Sequence, residues 1–155
     1  YTRRSGSEII DIQYRVASRQ QNAFAIAFFD LDNFKSINDS FGHEEGDRIL
    51  CQFTDHLRTY LRASDTIVRW GGEEFLIVLP NTNEKGIHLV MERITSSWFG
   101  DRPDGKPLTA SIGVSERVID GMHDWPALVE LADARMYHAK ENGRASFYMG
   151  EKGVA

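Results

Sequence analysis

The stretch AFAIAFFDLD, residues 23–32, decides the fold. Ala23 to Phe29 form a continuous apolar run of strand length with no polar alternation, the pattern of a central strand covered on both faces. The run ends at Asp30 and Asp32. Open α/β sheets bind ligands at the carboxyl ends of their strands, so Asp30 stands where chemistry is expected. Asp32, two residues on, either shares the direction of Asp30 and supports a metal or caps the helix that follows.

A second stretch, RWGGEEFLIV (69–78), supplies the neighbour. Gly71-Gly72 lies between two strand-like runs, DTIVRW and EEFLIVL, and reads as a two-residue hairpin turn. Glu73 and Glu74 open the second run, although an unpaired carboxylate entering a buried strand is costly. If this strand lies beside residues 23–29, both glutamates arrive near Asp30, and three carboxylates together call for a cation. Hard oxygen ligands without a His or Cys cluster suit Mg²⁺ or Mn²⁺. The alternative is that one glutamate faces solvent and the other caps a turn.

The remaining pattern alternates helices and strands. SEIIDIQYRVASRQQ (7–21) reads as a first helix with Ser7 as its N-cap. A short helix is expected near 33–39, then GHEEGD, then a longer helix to about residue 62 carrying Ile49, Leu50, Phe53, Leu57 and Leu61 on one stripe. A further helix runs from Asn83 to Ser97 with Ile87, Val90, Met91 and Ile94 inward, and DRPDGKP is a loop. LTASIGVS (108–115) is a strand. The last helix has Asp124 at its cap, Pro126 in its first turn, Leu128, Leu131, Ala132 and Met136 inward and Gly143 as stop; ASFYM closes as a strand. This order predicts a two-layer α/β (α+β) domain with a mixed central sheet flanked by helices, and leaves strand order open.

Bulk properties narrow the partners. The chain has 155 residues, suited to one domain over 1–155. A net charge of −5 gives no general attraction to nucleic acid or anionic membrane, so phosphate binding requires a local site. Cys51 is the only cysteine, which excludes an internal disulfide and a cysteine-only metal cluster. No signal peptide or membrane-length apolar run is present. The sequence begins at Tyr1 without an initiator Met, and the expectation is a domain cut from a longer regulatory protein.

Basic residues form the other half of the pattern. Lys140 and Arg144 are four apart at the end of the last helix and face one way. Cations at a helix C-terminus are favourable in themselves, so the pair reads either as dipole compensation or as an anion site. Lys35 follows Asp30 closely.

Together these pieces resemble the GGDEF domain of diguanylate cyclases, in the variant GGEEF (71–75). FDLDNFKSINDSFGHEEGD (29–47) is similar to the family pattern almost without departure, and LTASIGVS, LADARMYHAKENGR and the R-x-G-G framing at Arg69 match as well. The match covers about residues 23–144. Two departures stand out: the upstream D-x-L-T-G-L-x-N-R-R survives only as Thr2-Arg3-Arg4, so the start of the domain reads as truncated, and Ala145 follows Gly143-Arg144 where the family has Asn.

The resemblance implies a palm-like fold similar to nucleotide cyclases and polymerases, and condensation of two GTP into cyclic di-GMP and pyrophosphate. It implies that Asp30, the carbonyl of Leu31, Glu73 and Glu74 hold divalent metal, with Glu73 also activating the attacking 3′-hydroxyl. Lys35, Lys140 and Arg144 would contact the triphosphate, and Gly71 and Gly72 would let backbone approach it. Asn38 and Asp47 would hold the guanine edge, with His43 nearby; an ionised Asp47 accepts only, which suits guanine's donors. Arg62 and Asp65, an R-x-x-D five residues before Gly71, would form an inhibitory cyclic di-GMP site, with Arg93 a secondary contact. Because one domain binds one GTP, two copies would meet antiparallel. The alternative is a non-catalytic receptor for GTP or cyclic di-GMP acting through a protein partner. The expected setting is a cytoplasmic domain linked to an upstream sensory part.

Overall fold

A computed structural model of the chain describes residues 1–150; the end of the expected 1–155 domain lies outside the described residues. The apolar run folds as strand β1 (Phe24–Leu31), at the centre of a sheet with β2 (Thr66–Arg69), β3 (Glu74–Pro80), β4 (Ala110–Glu116) and β5 (Ser146–Tyr148). The strand order is β2-β3-β1-β4-β5; β4–β5 is parallel and the other pairs are antiparallel. The sheet is therefore mixed and flanked by helices, as expected.

Every residue of β1 is buried, and the period of two explains why. Ala25, Ala27, Phe29 and Leu31 enter one core with side chains of α2 (Phe34–Phe41), α3 (His43–Arg58) and α4 (Glu84–Ser97). Phe24, Ile26 and Phe28 enter a second core with α1 (Arg3–Gln20) and α5 (Trp125–Glu141). Helices thus cover the sheet on both faces, which adds a layer to the expected two. On the first face, the Phe53 ring lies 5.9 Å from Phe29, 4.8 Å from Phe75 and 4.6 Å from Phe99, an aromatic centre of tilted and edge-on contacts.

Three boundaries differ from expectation, each for a local reason. Helix α1 starts at Arg3 rather than at Ser7, because the Thr2 hydroxyl accepts the Ser5 N–H at 3.2 Å and acts as the cap. Gly6, inside the helix, lets α1 approach β2: a Cβ there would collide with Val68. Helix α3 starts at His43, so most of GHEEGD is helical; Gly42 alone, at φ 90°, makes the corner from α2. α3 then ends at Arg58, leaving Leu61 beyond it but still packed on the core. In α5, Leu131 is only half-buried, and Val129 takes an inward position.

The reversal between β2 and β3 is wider than a two-residue turn. β2 ends at Arg69, which pairs with Phe75, and β3 opens at Glu74, so residues 70–73 make the connection; the N–H groups of Trp70 and Gly71 both donate to the Glu74 carbonyl, at 2.8 and 3.2 Å. The Arg69 guanidinium stabilises this wide loop by donating to the carbonyls of Gly71 at 3.3 Å and Gly72 at 2.8 Å. Gly113 in β4 serves packing: a Cβ there would collide with the backbone of Ala132 and Met136, so α5 lies directly on the strand. No helix among the described residues is long and apolar enough to cross a membrane.

Candidate active site

The antiparallel register places Asp30 of β1 opposite Glu74 of β3. By strand alternation both point to the α5 side, where the last turns of α5 pass over them. Lys140 of α5 places its ammonium 2.8 Å from Asp30 Oδ2, and the Lys140 and Asp30 side chains are 25% and 9% exposed. Asp30 Oδ1 is buried with no hydrogen-bond partner in the protein.

Glu73 sits differently. It belongs to the loop, its carbonyl accepts the Leu31 N–H at 3.3 Å, and its side chain lines a cleft of about 540 Å³. Leu31, Lys35, Lys140 and Arg144 line the same cleft. Adjacent glutamates therefore separate: Glu73 faces this basic cleft, while Glu74 lines another on the α1/α5 side with Trp70, Trp125 and Asp133. Gly71 leaves room for the Glu74 carboxylate, since a Cβ would press on its Oε1, and Gly72 faces open space.

The carboxylates perturb one another. Burial raises the pKa of Asp30; the hydrogen bond and charge of Lys140 oppose this, and Glu73 and Asp32 add to it. Burial also raises Glu74, reinforced by Asp30, Asp133 and Glu73 and opposed by Lys140. Burial alone raises Asp133. Asp133, two turns before Lys140 on the same helix face, was not singled out in the sequence, although its spacing would have shown it.

The donor set fits a hard cation: oxygens only, with one buried carboxylate oxygen unpartnered. Among the described residues, however, no three acidic, His or Cys side chains are gathered closely enough to form a ready-made metal group. The Lys140 ammonium instead provides the cation beside Asp30.

This electrostatics makes a prediction. A carboxyl whose folded pKa lies above its ordinary value favours folding while protonated, and that contribution is lost as pH rises through the folded pKa. Without divalent ions, Glu74→Gln should therefore raise the melting temperature at neutral pH, with the gain shrinking toward acid. Thermal unfolding across pH checks this; a variant that melts lower at neutral pH would contradict it.

Comparison with known proteins places this arrangement in a family. The family model described as diguanylate cyclase, GGDEF domain, matches residues 1–146. The chain is a GGDEF domain. Diguanylate cyclase A of Treponema denticola is 37% identical over 132 residues, 83% of this chain and 35% of that protein. Among solved structures, the active GGEEF domain of a diguanylate cyclase from Vibrio cholerae superposes with a TM-score of 0.82 at 30% identity, covering 96% of each chain. A microbial GGDEF domain solved with cyclic di-GMP superposes at 0.81 with 32% identity, covering 96% of this chain and 93% of that one. The chain spans from 20% to 44% of the length of the first curated relatives it matches.

The other residues of interest fall at two further places in this GGDEF domain. Asn38, His43 and Asp47 lie at the α2–α3 corner, where His43 and Asp47 are exposed on the first turns of α3. The buried Asn38 Oδ1 has no hydrogen-bond partner and rests against Gly46, where a Cβ would collide with it.

Arg62 and Asp65 lie along a cleft of about 610 Å³. They are already engaged: the Arg62 guanidinium donates to Asp65 at 3.2 Å, to the Pro80 carbonyl at 2.7 Å and to the Thr82 hydroxyl at 2.7 Å, and Asp65 accepts the Arg62 N–H at 2.8 Å. Arg93 is exposed on α4, outside the lining of that cleft.

Asp32 does not cap α2. Asn33 occupies the cap position, at φ 60° and with no side-chain cap bond. Asp32 is buried and accepts from the hydroxyls of Thr109 and Ser111 and from the Ala145 N–H. Those partners come from distant parts of the chain, which local sequence reading does not reach.

Proposed function

We propose that this GGDEF domain is a diguanylate cyclase: it binds GTP, and two copies in antiparallel contact join two GTP into cyclic di-GMP with release of two pyrophosphates. The observation that carries this reading is the cleft where Glu73 faces Lys35, Lys140 and Arg144 beside Asp30. Similarity to an active GGEEF domain supports it.

In the proposed reaction, Lys35, Lys140 and Arg144 neutralise the triphosphate of GTP, the arginine with two parallel N–H donors. Glu73 accepts the proton of a 3′-hydroxyl presented by the second copy. The 3′-oxygen forms a bond to the α-phosphorus, and the bond from that phosphorus to the pyrophosphate oxygen breaks. Asp30, the Leu31 carbonyl, Glu73 and Glu74 would hold Mg²⁺ or Mn²⁺, which supplies charge stabilisation for attacking and leaving oxygens. Lys140, which neutralises Asp30 in this structure, would be free to contact phosphate if a cation took over that role. Asn38 and Asp47, with His43 nearby, hold the guanine edge, and Gly71-Gly72 gives the backbone close access to phosphate.

Mass spectrometry of products from GTP and Mg²⁺ tests the reading, with ATP in parallel. Cyclic di-GMP from GTP and nothing from ATP is the expected result; GTP bound without turnover by the dimeric protein would overturn it. That second outcome matches a non-catalytic nucleotide receptor, a reading favoured by one observation: Lys140 already neutralises Asp30.

Product inhibition is proposed at Arg62 and Asp65, with Arg93 as a secondary contact. For this, Arg62 must exchange its contacts with Pro80 and Thr82 for guanine or phosphate. Arg62→Ala should weaken cyclic di-GMP binding by about tenfold or more, the scale of a lost charge-assisted hydrogen bond. Unchanged affinity on calorimetric titration would remove Arg62 from the proposal.

A further inference from the structure

Past the end of α5 the backbone makes an unusual corner. Gly143, Arg144 and Ala145 adopt φ of 105°, 61° and 47° in succession. Only glycine takes that region freely; Asn and Asp tolerate it through local side-chain hydrogen bonds, and alanine has no such side chain. Arg144, in the middle of the corner, also lines the basic cleft.

Two backbone contacts hold this geometry. The Arg144 N–H donates to the Ala139 carbonyl at 3.0 Å, a helix-ending bond. The Ala145 N–H donates to Asp32 Oδ2 at 3.0 Å. The Asp32 carboxylate is itself fixed to the sheet: Oδ2 accepts from Thr109 Oγ1 at 2.8 Å, Oδ1 accepts from Ser111 Oγ at 2.7 Å, and its own N–H donates to the Thr109 carbonyl at 3.0 Å. At 2% exposure Asp32 is sealed from solvent, and it is absent from the cleft lining.

We propose that Asp32 is a positioning residue: it clamps the left-handed Arg144–Ala145 corner to the sheet and thereby holds the Arg144 guanidinium on the cleft, where it grips the triphosphate. The proposal rests on the reading of the cleft as a GTP site. Without the clamp, Ala145 relaxes toward ordinary backbone angles and Arg144 leaves the cleft wall. Ala145 makes the clamp more necessary than a residue at home in left-handed backbone would.

The test uses wild type, D32N, R144A, D32N/R144A and D32N/A145N, with two measurements. Amide exchange by NMR reads the corner directly and needs no ligand. D32N should speed exchange of the Ala145 N–H by about tenfold, the scale of a weakened hydrogen bond to a charged acceptor. GTP titration with Mg²⁺ and initial rates read the consequence: D32N should raise KM by about tenfold while kcat changes little. In the R144A background D32N should add nothing, because both changes remove the same grip. A145N, which favours left-handed backbone, should restore most of the affinity lost in D32N.

Additive losses in D32N/R144A, unchanged Ala145 exchange in D32N, or no rescue by A145N would each overturn the proposal. Failure of the wild type to bind GTP would overturn the cyclase reading instead, and the exchange measurement would still decide whether Asp32 clamps the corner.

Discussion

Glu73→Gln should leave GTP bound and lower the rate of cyclic di-GMP formation by roughly a hundredfold or more, the usual cost of removing a positioned general base. The expected split between binding and turnover follows from where Glu73 sits. Its side chain borders the cleft, but its structural contribution is made by its backbone carbonyl, which bonds Leu31 and is unchanged in the variant. The glutamine amide keeps the shape and cannot take a proton. GTP affinity by calorimetry and product by mass spectrometry check the two halves separately. If turnover persists within a fewfold of wild type, the proton leaves by another route and Glu73 is only a lining residue.

Lys140→Met should destabilise the chain by about 2–4 kcal/mol at neutral pH, because it leaves Asp30 buried without its counter-ion. At this chain length that corresponds to a melting temperature lower by about 5–10 °C. The pH dependence identifies the cause. Burial already raises Asp30, and Lys140 is what opposes the rise. Without Lys140 the Asp30 pKa moves further up, so the carboxyl favours folding while protonated and opposes it once ionised. The deficit should therefore be small below about pH 4, the ordinary aspartate range, and grow as pH rises through the folded value. Adding Asp30→Asn should recover most of the loss. A deficit equal at all pH values would mean that the Lys140 stem stabilises by packing, not by charge.

The parts of this architecture legible in the sequence were those whose cause is local. The uninterrupted apolar run of β1 is a direct image of burial on both faces, and Asp124 and Pro126 announce the start of α5. The GGEEF pairing with Asp30 was anticipated as a conditional, and the β1–β3 register satisfies the condition. What was misread depended on neighbours far along the chain. Ser7 reads as the first helix's cap and GHEEGD as a segment between helices, yet Gly6 and Gly46 lie inside helices, each where another side chain presses close. Asp32 reads as either a cap or a support for metal, yet its partners lie 77, 79 and 113 residues away. The Lys140–Asp30 contact was concealed because helix-end cations have a sufficient local explanation. Nothing in GGEEF foretold that its two glutamates face different clefts, since that depends on where the loop ends and the strand begins.

The close seat of α5 on Gly113 gives the site a mechanical datum. With backbone resting on backbone, no side chain acts as a cushion between helix and strand, so the helix has one height above the sheet. Lys140 sits one turn beyond that seat and inherits its position, much as a tool tip inherits the alignment of its mount. A single added methyl at residue 113 would lift the mount, and the error would be read out at the ammonium reaching for Asp30. The height of the Lys140 ammonium over Asp30 is thus set by the hydrogen that Gly113 carries in place of a Cβ.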